Sequence, residues 1–189
     1  MKREELSSEK GLIKALAHHF DEITDTEMLV LVEQIRSLNQ SIAKLDETIA
    51  DHGGKLEGFK NLTSIKGIGA KSAATLLSVI GNVTDFRSAK HLAAYIGIVP
   101  RVSSSNETVH IGRITKMGSK TARTALVQCA LIAMRYNPYL KQFHTAIKIR
   151  RGGPKANIAL ARKLLEIIYR TLKNNWIFED FTQFKLAKI

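Results

Sequence analysis

Apolar residues recur with strict alternating spacings of three and four at Met28, Leu31, Ile35, Leu38, Ile42, Leu45 and Ile49. That spacing draws one stripe along an α-helix and predicts a long helix over about 27–50. Met and Ile hold one core position and Leu the other, the combination that favours parallel two-stranded coiled coils. The flanking positions Val32, Asn39 and Asp46, and Glu27, Gln34, Ser41 and Thr48, carry few charges. They offer little interchain salt bridging, so packing on another helix of the same chain stays open beside self-association. Ahead of the stripe, residues 1–26 predict a short helix and an acidic turn. Asp21, Glu22, Asp25 and Glu27 are expected there as acids favouring the N-terminus of the long helix rather than as metal ligands. Behind it, DHGGKLEG at 51–58 predicts a helix end, since paired glycines suit a C-cap or hinge.

From residue 60 the pattern changes to short helices punctuated by glycine. Residues 62–81 predict helix, tight turn, helix. Residues 88–98 predict another helix, ended before Pro100. Residues 99–118 are rich in Ser, Thr and Gly and admit a short hairpin across Val102 to Ile114. Residues 119–136 predict a helix with Ser119 as N-cap. Asn137-Pro138 opens a new segment, and Pro154 stands near the start of a helix over 155–175. Ile158, Ala161, Leu165, Ile168 and Leu172 form its apolar face. The expected fold is mainly α. A long coiled-coil helix with its hinge (27–58) precedes a compact helical domain (59–178), with a short N-terminal segment (1–26) and a tail (179–189).

Charge sharpens this division. Of the 189 residues, 29 are Lys or Arg and 17 Asp or Glu, a net charge of +12. Residues 1–59 hold seven Lys and Arg against twelve Asp and Glu, so the surplus lies wholly in the remainder. A segregated cationic region of this density points to phosphate contacts on nucleic acid. A single cysteine, Cys129, excludes an internal disulfide. The six histidines show no metal-ligand spacing. No apolar run approaches the roughly 20 residues needed to cross a bilayer. The expected location is the cytoplasm, with nucleoid association when DNA is bound.

Three motifs carry candidate chemistry. In Leu62-x-x-Ile65-Lys66-Gly67-Ile68-Gly69-x-x-x-Ala73, the glycines permit a tight turn and close approach of backbone to phosphate. The next helix directs its N-terminal N–H groups at an anion, and Lys66 and Lys71 add charge. This resembles a helix-hairpin-helix, a DNA-backbone module; a ligand-free αα-corner has the same pattern. The second motif joins Pro100-Arg101, the serine run 103–105, and the cations Arg113, Lys116, Lys120 and Arg123. A serine among cations could attack a phosphodiester if activated, or the loop is a polar surface turn. The third is Lys155-Ala156-x-x-Ala159-x-Ala161-Arg162-Lys163-Leu164-Leu165, whose apolar stripe belongs to a core and whose Arg162 and Lys163, with Arg170 and Lys173 farther along the helix, are candidate phosphate contacts without base readout.

Taken in order, these segments resemble the C-terminal half of insertion-sequence 110/116/902-type transposases, over about residues 27–178. The resemblance implies a bridge-RNA-guided recombinase in which a RuvC-like nuclease domain with acidic metal ligands works with a catalytic serine. It places that serine at Ser105, with Ser104 beside it, and puts Asn106 where the pattern has glycine. The residues ahead of the coiled coil are too few for a RuvC-like domain. The expectation is therefore a DNA-binding chain that is inactive alone, needs no cofactor of its own and meets magnesium only through a RuvC-like partner subunit. Guide RNA and a homodimer through residues 28–49 complete the expected partners. The alternative is a non-catalytic nucleic-acid-binding module or a regulator of a full-length transposase.

The stripe yields a first prediction. Leu38→Asp or Ile42→Asp should convert a dimer to a monomer in sedimentation experiments, because an unpaired charge in an apolar seam is costly. A wild-type monomer at tens of micromolar would return the stripe to intrachain packing.

Overall fold

Capping chemistry rather than the apolar stripe sets where the long helix begins. In the computed structural model, which describes residues 8–105 and 108–179 and only the backbone at 103–111, the Asp21 carboxylate accepts N–H bonds from Ile23 (3.1 Å) and Thr24 (3.0 Å). It also accepts the Thr24 hydroxyl at 2.6 Å. The Thr24 hydroxyl and these N–H groups hold the Asp21 carboxyl below its ordinary value. The helix, α2, spans Glu22–Gly54, starting earlier than the heptads and running through both glycines. The helix ends at the glycine pair, within the expected 51–58 segment. Gly53 is buried, and a Cβ there would lie 2.9 Å from the Ala74 Cβ. Its missing side chain lets the last turn of α2 lie against the helix that carries Ala74.

The other elements are α1 (Glu9–Leu16), α3 (Phe59–Thr63), α4 (Ala70–Ile80), a 3-10 turn (Val83–Asp85), α5 (Ala89–Ile96), β1 (Pro100–Ser105), β2 (Thr108–Ile114), α6 (Lys120–Tyr136), α7 (Pro138–Arg151) and α8 (Gly153–Lys173). The expected mainly helical architecture and the short hairpin are present. The chain divides into two compact units, Met1–Thr48 and Ile49–Ile189. In the first, Ser8 caps α1, and Arg36 Nε of α2 donates to Glu9 Oε1 at 3.0 Å. Leu31, Leu38, Ile42 and Leu45 are each more than half exposed, whereas Val32, off the stripe, is buried.

In the second unit α8 is the central helix. Ala156, Leu160, Ala161, Leu164, Leu165, Ile168 and Tyr169 are buried along it, and α3, α5, α6 and α7 pack against it. Leu62, Leu76, Leu92, Leu126 and Leu140 complete the same core. Cys129 of α6 lies within it, and burial pushes its thiol pKa up. α6 starts at Ser119, whose hydroxyl accepts from the Ala122 N–H, as its cap position predicts. α7 starts at Pro138, with the Asn137 side chain accepting from the Leu140 N–H.

Two glycines fix the hairpin to this core. At the end of α5, Gly97 (φ 78°) lets its own N–H return to Ala94 and the Ile98 N–H return to Ala93, a Schellman closure. A Cβ on Gly97 would fall 1.9 Å from the Met117 carbonyl oxygen, and one on Gly118 (φ 113°) 2.1 Å from that of Tyr95. Backbone therefore crosses backbone with no room for side chains. The Lys116 N–H donates to Gly97 (3.0 Å) and the Thr115 N–H to Val99 (2.9 Å), carrying the ladder of the hairpin to the end of the helix. The strands are antiparallel, with Pro100 opposite Ile114, Ser105 opposite Thr108, and an irregularity between Pro100 and Val102.

Gly97→Ala or Gly118→Ala should destabilise the fold by about 2–4 kcal/mol, from overlap added to a strained positive φ. Gly153→Ala, where a Cβ meets nothing within 4 Å, should change stability by less than about 1 kcal/mol. Chemical denaturation of the three variants checks both.

Candidate nucleic-acid interface

The turn between α3 and α4 uses its two glycines differently. Ile65 and Ile68 are buried on either side of Gly67. Gly67 has φ 106°, and a Cβ on it would lie 2.6 Å from the backbone nitrogen of Ala133 in α6. Its absent side chain is a packing requirement against α6. Gly69, the extended N-cap of α4, has no side-chain capping bond, and a Cβ there meets nothing within 4 Å. The first N–H groups of α4 and the positive end of its dipole thus open beside Gly69. Lys66 and Lys71 are exposed on either side of the turn.

At the hairpin root, Arg101 and Arg113 are exposed near the strand irregularity. Lys116 holds a left-handed conformation (φ 57°) that turns the chain out of β2. Lys116, Lys120 and Arg123 line a cleft of about 370 Å³ with Ile98, Ile114 and Ile158. Arg123 is tied to the root itself. Its Nη1 donates to the Ile96 carbonyl (2.9 Å) and the Gly118 carbonyl (3.0 Å), so the guanidinium bridges the end of α5 and the loop before α6.

The serine run lies at the other end. Ser104 pairs with Val109, and Ser105 with Thr108 as the outermost pair; Asn106 and Glu107 lie outside the described residues. From Thr108 to Arg113, strand geometry spans about 17 Å at about 3.4 Å per residue. The motif that the sequence reads as one constellation is thus drawn out along a hairpin, with the serine segment at its tip and Arg101, Arg113, Lys116, Lys120 and Arg123 at its root.

Arg162 and Lys163 fall on the polar side of α8, in a second cleft. Arg162 is exposed. Lys163 Nζ pairs with Glu166 Oε2 at 3.2 Å and stands 5.5 Å from the centroid of the Tyr139 ring. Burial works against its charge, but hydrogen bonds with Tyr139 and Glu166 prevail and raise its pKa. The same cleft receives Arg170 and Lys173, also read from the sequence as phosphate contacts, and Arg87 and Lys90, which the motifs did not single out. Arg170 and Lys173 continue the spacing of Arg162 along α8. Arg87 and Lys90 carried no signal, because only the packing of α5 on α8 brings them there. Among the described residues, no group of three or more His, Cys, Asp and Glu comes together, and no helix is long and apolar enough to cross a membrane.

Residues 59–145 match the model of the transposase IS116/IS110/IS902 family. The chain is 32% identical to the pilin gene-inverting protein of Moraxella bovis, the match covering 94% of this chain and 55% of that protein. It is also 32% identical to the transposase for insertion sequence element IS1111A of Coxiella burnetii, over 73% of this chain and 41% of the relative. A match at 29% identity to the insertion element IS110 uncharacterized 43.6 kDa protein of Streptomyces coelicolor covers 63% of this chain and 30% of that one. The chain spans about half or less of the length of these relatives.

Arg123 gives a decisive test of root architecture. Arg123→Met should cost about 1–3 kcal/mol, because two carbonyl groups lose their donor. Amide exchange at Thr115 and Lys116 should quicken with it. Unchanged stability and exchange would make Arg123 a surface cation only.

Proposed function

From the premise that residues 59–145 are an IS110-type transposase region, we propose that this chain serves DNA transposition or inversion as the DNA-engaging part of a recombinase. The observation that carries the proposal is the hairpin, seated on α5 and α6 by the glycine crossing, with a serine segment at its tip and cations at its root. Ser105, or alternatively Ser104, is the nucleophile of this reading. Its oxygen bonds to phosphorus as a strand oxygen leaves, giving a covalent phosphoserine link. The relatives named as a gene-inverting protein and as a transposase support the role in inversion or transposition.

The α3–α4 turn acts in this reading as a helix-hairpin-helix. Open space at Gly69, with Lys66 and Lys71 beside it, suits a backbone phosphate and no particular base. Arg101, Arg113, Lys116 and Lys120 extend the contact. The exposed stripe on α2 supports a homodimer through a coiled coil. The described residues do not make up a magnesium site, and no step runs through a metal ion held by them. A RuvC-like nuclease subunit with magnesium, and a guide RNA, enter as partners on the resemblance alone. The setting is the cytoplasm, where bacterial DNA is met.

One observation favours a second function, a non-catalytic nucleic-acid-binding module or regulator. Along the strands Ser105 lies about 14 Å from Arg101, and its pair Thr108 about 17 Å from Arg113, so the serine segment and most of the root cations are set apart along the hairpin.

Reconstitution separates the two. With a RuvC-like nuclease domain and magnesium, the wild type should form a covalent DNA adduct that Ser105→Ala abolishes, while DNA affinity is kept and the chain alone does not cleave. If neither serine matters, the binding module stands. Gly69→Val should weaken binding to all sequences alike without loss of folding. Gly67→Val should also lower thermal stability by about 2 kcal/mol or more, because it strikes α6.

A further inference from the structure

The cleft between the start of α5 and α8 has a volume of about 830 Å³. Six cations line it: Arg87 and Lys90 on the α5 side, and Arg162, Lys163, Arg170 and Lys173 along α8. One carboxylate, Glu166, lines it too, and it is already engaged by Lys163 (3.2 Å) and Arg170 (2.6 Å). A strong excess of positive charge therefore faces the cleft. The aromatic groups there are poor stacking platforms. Tyr169 is buried and its hydroxyl is used on the Phe86 carbonyl, while Phe143 packs against the core. The chemistry suits phosphate without base readout.

The hairpin-root cleft adjoins this one. Ile158 of α8 lines the root cleft, while Ala159 and Arg162 line the larger one. Ile158 and Arg162 are four residues apart and so neighbours on one helix face. From Ile158 to Lys173, α8 runs about 22 Å at 1.5 Å per residue. A strand of duplex DNA advances about 3.4 Å per nucleotide, so that length matches about six phosphates. A site for one small anion has no use for a cationic lining of this length.

We propose that the two clefts form one continuous track for a polynucleotide backbone, entering at Lys116 and Lys120 and running along α8 past Arg162 to Arg87, Lys90 and Lys173. Arg170 and Lys163, held by Glu166, line the track and keep its wall ordered. The inference rests on the reading that this chain engages nucleic acid. It adds a path, a footprint and residues that reading does not use.

The test uses the full chain and labelled oligonucleotides: single-stranded probes of about 3 nucleotides, too short to span the track, and probes of about 20 nucleotides as duplex DNA, single-stranded DNA and single-stranded RNA. The four exposed cations Arg87, Lys90, Arg162 and Lys173 are replaced together by Gln, with Arg170 kept to hold Glu166. The wild type should bind the longer probe at least tenfold more tightly. The variant should lose that advantage while keeping its affinity for the shorter one. The slope of its salt dependence on the long duplex should fall by about four, roughly one for each phosphate that is no longer neutralised. The probe type with the largest drop in affinity identifies the strand that follows the track. A control variant, Lys148→Gln with Arg150→Gln and Arg151→Gln at the end of α7, removes charge outside both clefts. Three results overturn the track while leaving nucleic-acid binding intact: an unchanged slope, no advantage of length in the wild type, or an equal drop in the control. A wild type that binds no probe at all overturns the functional reading itself. Thermal unfolding of the variant within a few degrees of wild type keeps a folding defect from imitating the result.

Discussion

The buried face of α8 is the constraint on which the second unit depends. Four helices, its sequence neighbour α7 and three from earlier parts of the sequence, lie against it, and most of their stability comes from packing an amphipathic face rather than from helix propensity. Small residues at Ala156 and Ala161 let neighbours approach, while Leu160, Leu164, Leu165 and Ile168 fill the space between them. Leucine-sized groups wholly removed from water contribute about 1.5–3 kcal/mol each. Because that burial occupies one side of α8, its remaining side is free to carry charge, and the cationic cleft follows from the same helix that holds the core.

The electrostatic design has a division of labour within it. Arg123 and Lys163 are counted as cations in the sequence, yet both are engaged by the protein, one by carbonyl groups at the hairpin root and the other by Glu166 and Tyr139. Arg87, Lys90, Arg101, Arg113 and Arg162 stand on exposed positions. Charge committed to structure holds the surface in shape, and charge at exposed positions retains its reach toward an anion. Salt screens the second kind far more than the first.

Much of this was legible in the chain. Periodicity found α2 and α8, Ser119 marked a helix start, Asn137-Pro138 marked a new segment, and the glycine and serine richness of 99–118 marked the hairpin. Failures came where local signals compete. The Gly53-Gly54 pair does end α2, but Gly53 is also a contact point whose meaning depends on Ala74, which only the fold shows. α7 carries Leu140, Phe143, His144 and Ile147 at helical spacing, yet its interleaved charges hid the pattern. Gly67 and Gly69 are alike in sequence, and only the position of α6 distinguishes the packed one from the open one. The serine constellation was judged by closeness along the chain, and an extended strand separates neighbours that a helix would gather.

The glycine crossing at the foot of the hairpin has a topological consequence. Gly97 and Gly118 bring together two points about twenty residues apart, so the entropy of closing that loop is met by contacts at its base and owes nothing to its far end. Lengthening, shortening or recomposing the tip then changes the closure cost only logarithmically. The hairpin is an excursion that can diversify at its outer end while the body beneath it stays constant, so its outer segment can be tuned separately from the fold that carries it.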